Sequence, residues 1–349
     1  WSVTARYDAH RPFHLIALDD EAGTTIYVSS RTGEVVLDTD RHERFWNWFG
    51  AIPHWIYVTP LRTQADLWRD VVLWISGISV LAAVTGLWIG ILRLRLRPRR
   101  RYASGGVTPY HGWAAWHHLA GIVGGLTLLT FVVSGWLSMN PNRWFSSRSP
   151  SQDMLERYAG STHPRIKADL DAIRREAPEG TVEVRFIPLA GRVHTVATMR
   201  NGQGKPCCGG ATADLGPPHA WISEAARRLI PDANLAELQV IREEDSYWYS
   251  HHQPRSVPVL RARFDDQAGT WFHIEPRTGE ILNRLDRSSR TYRWVFNALH
   301  SFYLPMLIRH RPSWDLLMWV LSGAGLVIAA SGIVMGWRRL NHANYSRRQ

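Results

Sequence analysis

VVLWISGISVLAAVTGLWIGIL, Val71–Leu92, is a run of 22 residues without a charge. LLMWVLSGAGLVIAASGIVMGW, Leu316–Trp337, is a second run of 22. A third lies between them: Tyr102–Asn142 carries no formal charge, and Trp113–Met139 is its apolar part. A hydrocarbon core about 30 Å thick needs about 20 helical residues to cross it, and only a helix satisfies every backbone group there. Each run meets that length. Trp74, Trp88, Trp113, Trp116, Trp136, Trp319 and Trp337 lie towards the ends of the runs, as interfacial anchors do. The sequence therefore predicts an α-helical membrane bundle with three visible spans.

Charge orients them. The 349-residue chain has 41 Lys+Arg against 30 Asp+Glu, a net charge of +11. Such a balance suits nucleic acid or an anionic membrane face. Arg93, Arg95, Arg97, Arg99, Arg100 and Arg101 follow the first span, and Arg338, Arg339, Arg347 and Arg348 follow the last. Arginines gathered beside spans mark cytoplasmic flanks, which removes the main support for a nucleic-acid partner. The resulting topology places 1–66 outside, a helix over 67–92, a basic cytoplasmic loop over 93–112 and a helix over 113–139. A large outer region over 140–312, a helix over 313–337 and a cytoplasmic tail over 338–349 complete it. Trp1-Ser-Val-Thr is no signal peptide, so residues 1–66 reach the outside only if a further membrane helix precedes them. Two Cys exclude a disulfide scaffold, a zinc ribbon and a Cys-ligated iron–sulfur cluster.

An internal repeat bears on the same point. Shifted by 246, residues 19–90 align with 265–336 without a gap, with 22 identities in 72 pairs. DDEAGTTIYVSSRTGEVVLDTDR pairs with DDQAGTWFHIEPRTGEILNRLDR. Arg44 meets Arg290, Trp48 Trp294, His54 His300, Tyr57 Tyr303 and Trp68 Trp314; Gly86 and Gly90 meet Gly332 and Gly336. The repeated unit is an extracytoplasmic sheet, an interfacial segment and a membrane helix. Four helices in pseudo-twofold arrangement are expected, three of them visible. Gly86-xxx-Gly90 and Gly332-xxx-Gly336 read first as close helix packing.

The outer parts read as α+β. Thr25–Ser29 and Thr270–Ile274 are β-branched and aromatic, and each precedes Arg-Thr-Gly-Glu and an apolar run, the pattern of a hairpin with Gly at the turn. Helices are expected near Gln152–Tyr158, Ile166–Glu176 and Ala220–Ile230, the last with a cap-like Ser223 and Glu224. Strands are expected near Val182–Ile187 and Val193–Met199.

VSSRTGEVV and IEPRTGEIL look like the PepSY motif. With His117 and His118 at the start of one span and His300 before the next, nearly the whole chain resembles the PepSY-associated transmembrane proteins of bacterial inner membranes. The family includes ferric-siderophore reductases. The resemblance implies a b-type haem oxidoreductase that carries electrons outward from quinol or a cytoplasmic reductant and reduces ferric siderophore in the periplasm. It also implies PepSY-like modules at both outer regions.

The residues admit that chemistry. A Rossmann-type Gly-rich loop is missing, whereas haem needs only one or two axial side chains in a dry pocket. His117 lies in the first turn of its span with Gly121 and Gly124 at i+4 and i+7, leaving room for a flat macrocycle. His118 is turned by about 100° towards Ile122 and Gly125 and stands in reserve. His54 and His300 occupy the same place in the two copies, each 14 residues before a Trp. Two haems are expected. An outer one would be held by His54 and His300. An inner one would be held by His117 and a His of the preceding helix, or else by His118 or His342. A simpler reading makes each of these imidazoles an interfacial anchor.

The substrate surface is less determined. The outer regions hold His10, His14, His163, His194, His219, His251, His252 and His273, with Trp221, Tyr247, Trp248, Tyr249 and Trp271. A large chelate can dock on such a surface, and ordinary packing explains it equally. Cys207-Cys208 reads as a vicinal disulfide, a soft ligand pair or a plain loop pair. Two other functions fit the same architecture: a membrane-anchored binding or assembly protein without activity, and a haem or metal transport component.

Overall fold

The computed structural model describes residues 7, 10–161, 169–201, 204–207, 219–250 and 254–346, without the side chains of 206 and 342–346. His163, Cys208, His251, His252, Arg347, Arg348, the His342 side chain and Trp1-Ser-Val-Thr lie outside that description. The chain divides into two compact units, Trp1–Pro141 with Val327–Gln349, and Asn142–Leu326.

In the first unit, β1 (Phe13–Ala17), β2 (Thr25–Ser29) and β3 (Val35–Thr39) form an antiparallel sheet with β2 in the centre. The β1–β2 register runs from Phe13 opposite Ser29 to Ala17 opposite Thr25. The turn after β2 closes through Gly33, whose φ of 73° suits a residue without Cβ. Asp40 then caps α1 (Arg41–Phe49), accepting from the Glu43 N–H at 2.6 Å. Two short helices, α2 (Ala51–Trp55) and α3 (Thr59–Arg62), lead into α4 (Ala65–Arg93). Helix α5 (Gly112–Ser138) packs antiparallel on α4 where small residues let the backbones approach. A Cβ built on Gly90 would stand 3.2 Å from Ile122, and one on Gly125 would stand 3.0 Å from Leu87. The packing reading of the glycine pairs therefore holds at Gly90. It fails at Gly86 and Gly336, where nothing lies within 4 Å of the built Cβ.

The second unit begins with α6 (Gln152–Ala159), capped by Ser151, and α7 (Leu170–Glu176). Strands β4 (Thr181–Leu189), β5 (Arg192–Met199) and β6 (Gly204–Pro206) form one antiparallel sheet. Helix α8 (Ala220–Ala226) starts three residues before Ser223, with His219 at its N-cap, so Ser223 and Glu224 are interior and cap nothing. A second sheet has the order β10 (Ile281–Leu285), β9 (Trp271–Ile274), β8 (Val259–Phe264), β7 (Leu235–Ile241). Leu260, Ala262, Phe264, Phe272 and Ile274 of that sheet are buried with Ile222, Ala225, Ala226 and Leu229 as the core of the unit. Helices α9 (Arg287–Tyr292), α10 (Leu299–Ser301) and α11 (Pro305–Arg309) follow, with a π-helical turn over Arg293–Ala298. The last helix, α12 (Arg311–Ser346), begins here and continues into the first unit.

Three helices, within Ala65–Arg93, Gly112–Ser138 and Arg311–Asn341, are thus long and apolar enough to cross a membrane. Local structure also recurs 246 positions apart. Peptide bonds preceding Pro12 and Pro258 are cis. Thr24 donates twice to Asp20, and Thr270 twice to Asp266. Arg44 reaches the Gly23 carbonyl at 2.6 Å and Arg290 the Gly269 carbonyl at 2.8 Å. Ile56 and Phe302 both adopt the left-handed conformation, at φ 53° and 51°. The indoles of Trp68 and Trp314 donate to the carbonyls of Trp55 and Ser301, each at 2.8 Å.

Candidate functional site

Helices α4 and α5 and the part of α12 beyond Val327 enclose a cavity of about 650 Å3, within the range of small-molecule sites. Small residues such as Gly86, Ala114, Gly121 and Gly125 share its walls with larger apolar ones such as Leu87 and Ile122, and no Asp, Glu, Lys or Arg contributes. The polar groups facing it come from Ser79, Tyr110, His117 and His118.

His117 and its reserve, His118, both line this one cavity, although they point about 100° apart on α5. Gly121 lines it as expected. Gly124 is buried away from it, and Gly125 takes its place.

The two imidazoles differ in what they have left to offer. His118 is buried, with Nδ1 2.8 Å from the Thr108 hydroxyl and Nε2 2.8 Å from the Gly90 carbonyl. A carbonyl only accepts, so Nε2 carries the proton and Nδ1 accepts from Thr108. Neither nitrogen is left for a ligand. His118 ties α5 to α4 and to the connecting loop, and Tyr110 packs edge-on against its ring at 5.3 Å. As a reserve ligand it would have to break both bonds.

His117 is half-buried, and its Nδ1 lies 3.1 Å from the Ile328 carbonyl and 3.0 Å from the Ser331 hydroxyl. Nδ1 must donate to the carbonyl, so Nε2 keeps the lone pair, and no described residue hydrogen-bonds to it. Metal-ligating histidines are held in this way, one nitrogen on a backbone carbonyl and the other on the metal. A Cβ on Gly332 would be 3.5 Å from Cε1 of His117, so the wall is flush against the ring. The donor set fits haem: one oriented imidazole, a glycine- and alanine-lined slot and an apolar membrane setting. Among the described residues no group of three or more His, Cys, Asp or Glu is placed to hold a bare metal ion, whereas haem asks for one or two axial ligands.

His54 and His300 lie in different units, and each is described by itself. His54 is exposed at the end of α2, with its ring edge-on to Trp55 at 6.0 Å. Trp55 stacks on Tyr57 and Trp68 at 5.7 and 6.4 Å. His300 is half-buried in α10 and stacks on Phe296 at 4.9 Å.

Two further histidines of the second unit, His194 and His273, have packing partners. His194 is buried and stacked on Trp221 at 4.7 Å; burial, then Arg192, holds its pKa down. His273 is fully buried between Arg261, whose Nε donates to its Nε2 at 2.8 Å, and Asn283, which faces Nδ1 at 2.7 Å. Burial pushes its pKa down to about 4. Asp245 completes the network, 2.7 Å from Arg261. Burial raises the Asp245 pKa, but hydrogen bonds from Arg261 and from the Tyr247 and Trp248 amides leave it below the ordinary carboxylate value. Arg261, Arg263 and Arg290 also stand over the Trp271 ring at 5.1, 4.6 and 4.1 Å. His14 lies on β1, and His10 is 3.9 Å from Glu34. Cys207 is buried and disulfide-bonded.

Sequence reasoning found His117 and missed what holds it. Ile328 and Ser331 lie 211 and 214 positions away, beside Gly332, which meets the same ring. The signal was one of two serines in an apolar run, Ser322 and Ser331, and either reads more readily as a helix serine bonded to its own backbone. No family model, curated protein or solved structure matches the chain.

Proposed function

We propose that the chain is a haem-containing reductase of the bacterial inner membrane, passing electrons outward to a ferric siderophore in the periplasm so that ferrous iron is released. The observation that carries this is His117: an imidazole in a membrane cavity, tied at Nδ1, with Nε2 turned to open space. Bound there, haem would supply reversible one-electron chemistry in a low-dielectric setting. His117 would hold it axially, Gly86 and Gly121 would leave space for the ring, and the apolar walls would exclude water. His54 and His300 are the proposed ligands of a second, outer haem. Their shared position in segments with the same hydrogen bonds supports a duplicated unit, with PepSY-like modules outside and the arginine-rich loop and tail inside. Within that family the chain resembles the ferrioxamine reductases. The electron donor is a quinol or a cytoplasmic reductant.

Absorption spectra with haem quantification on the full chain test this. Wild type should be red, with a Soret band that shifts on dithionite and reoxidises with a ferric hydroxamate. His117→Ala should lose the inner haem, and His54→Ala or His300→Ala the outer one. A colourless wild type, or full haem in all three variants, refutes the reading.

One observation favours the second reading, a binding or assembly protein. In β1 and just after it, Leu15, Ile16 and Leu18 are 63%, 45% and 51% exposed, an apolar edge of the kind that takes up partner strands. That reading predicts a colourless protein.

A further inference from the structure

We infer that Ser331 is a positioning residue for His117: with the Ile328 carbonyl it fixes the tautomer and plane of the imidazole and strengthens it as a donor to iron. The inference rests on the haem reading above.

Ser331 is fully buried in α12. Its Oγ lies 2.6 Å from the Val327 carbonyl and 3.0 Å from the Ile328 carbonyl, the back-bonds of a helical serine. Its one proton therefore goes to a carbonyl, and its lone pairs remain to accept from Nδ1–H of His117 at 3.0 Å. The Ile328 carbonyl accepts from the same N–H at 3.1 Å. Two acceptors on one N–H leave a single protonation pattern for a neutral ring, with the lone pair on Nε2, and they set the ring plane from two directions.

Back-bonding alone would not single out Ser331, because Ser76, Thr85 and Ser134 make the same bonds to carbonyls three and four residues earlier. An imidazole reached across helices sets it apart. Thr85, its counterpart 246 positions earlier, has the back-bonds without that contact.

The chemical consequence has a sign. Acceptors on the distal N–H raise the basicity of a ligating imidazole, which favours ferric over ferrous iron. Removing one of two acceptors should weaken that preference about threefold, and at 59 mV per tenfold for one electron the midpoint potential should rise by about 28 mV.

Redox titration of the full chain in lipid nanodiscs, followed at the Soret band, reads this directly. The component to watch is the one lost in His117→Ala. Ser331→Ala should raise its potential by that amount and shift its ferric low-spin EPR g-values; Ser331→Thr should restore both, and Ser76→Ala should move neither. An unchanged potential in Ser331→Ala overturns the inference while leaving a red wild type, and hence the haem reading, intact. If Ser331→Ala loses the component altogether, its retention in Ser331→Thr supports the positioning role. Loss in both makes Ser331 a packing residue and overturns it. A colourless wild type removes the haem reading and the inference together.

Discussion

Replacing His273 with glutamine should flatten the stability of the second unit between pH 6.5 and 4. His273 is fully buried, with Nε2 accepting from Arg261 and Nδ1 facing Asn283. Burial pushes its pKa down to about 4 from the ordinary histidine value of 6.5. In this window the unfolded chain binds a proton that the native unit refuses, so stability rises with pH and falls on acidification. The loss is about 2 kcal/mol at pH 5 and about 3 kcal/mol below pH 4. Carboxylates held low, such as Asp245 and Asp286, lose their contribution only at more acid pH. Glutamine keeps an acceptor for Arg261 and a donor for Asn283 but does not titrate. Hydrogen exchange of β8 and β9 amides in the full chain, corrected for intrinsic rates, is the assay. Opening should increase about 30-fold from pH 7.5 to pH 5 in wild type. His194, also held low by burial, adds an equal background to both proteins. A His273→Gln protein with the wild-type pH dependence would refute the argument, because the proton uptake would then lie elsewhere.

Arg44→Ala should destabilise the first sheet by about 1–3 kcal/mol, since it strips the Gly23 and Thr39 carbonyls of a charged donor; the same exchange assay on β2 and β3 reads it. Gly33→Ala should cost about 1 kcal/mol, a left-handed φ with open space around it. Gly160→Ala should cost roughly twice that or more, because a Cβ there would come within 3.0 Å of the backbone at Ala190 and Gly191, and neither can retreat; thermal melts of the two variants should rank accordingly. His118→Ala should deprive the buried Gly90 carbonyl of its imidazole donor and lower the melting midpoint; the haem proposed at His117 should be retained, and its loss at an unchanged melting midpoint would make His118 a ligand.

Membrane spans were legible because length and apolarity alone decide them: α4 and α5 fall within two residues of expectation at each end, and α12 starts two residues early but runs nine past the expected end at 337. Hairpin strands β2, β3, β9 and β10 were legible from the Arg-Thr-Gly-Glu turn between them. Strands β1, β7 and β8 carried no turn signal of their own. PFHLIALDD shows no clean alternation, and pairing with a neighbour decides it, whereas VLRARFDD alternates Leu260, Ala262 and Phe264 with Arg261 and Arg263, a strand pattern that was there to be read. Helix α8 starts at Ala220 as expected and ends at Ala226, four residues early; only its cap was misassigned, because Ser223 and Glu224 carry cap chemistry but lie inside the helix, between the buried Ile222 and Ala225. At the site, His117 was readable from its place near a span terminus with glycines beyond it. Its orientation was not, because it depends on a helix more than two hundred residues later. The arrangement of His118 depends on Thr108, a loop residue with no pattern to announce it.

The segments 246 positions apart agree where the backbone must be held and differ where side chains meet a neighbour. Agreement is found at the Asp–Thr turn, the left-handed Gly, the Asp cap, the arginine on the turn carbonyl and the tryptophan at the helix entrance. Each of these satisfies a backbone group that would otherwise be unpaired, so each is required by the path of the chain whatever the unit does. Divergence begins on the sheets. Phe264 is buried beneath the second unit's helix and Arg261 is locked to Asp245, but their counterparts Leu18 and Leu15 stand exposed. Trp271, covered by three guanidinium groups, has Thr25 as its counterpart. A frame fixed by backbone satisfaction leaves its faces free to change at little cost to folding, and faces that have changed are where the two halves can do different work.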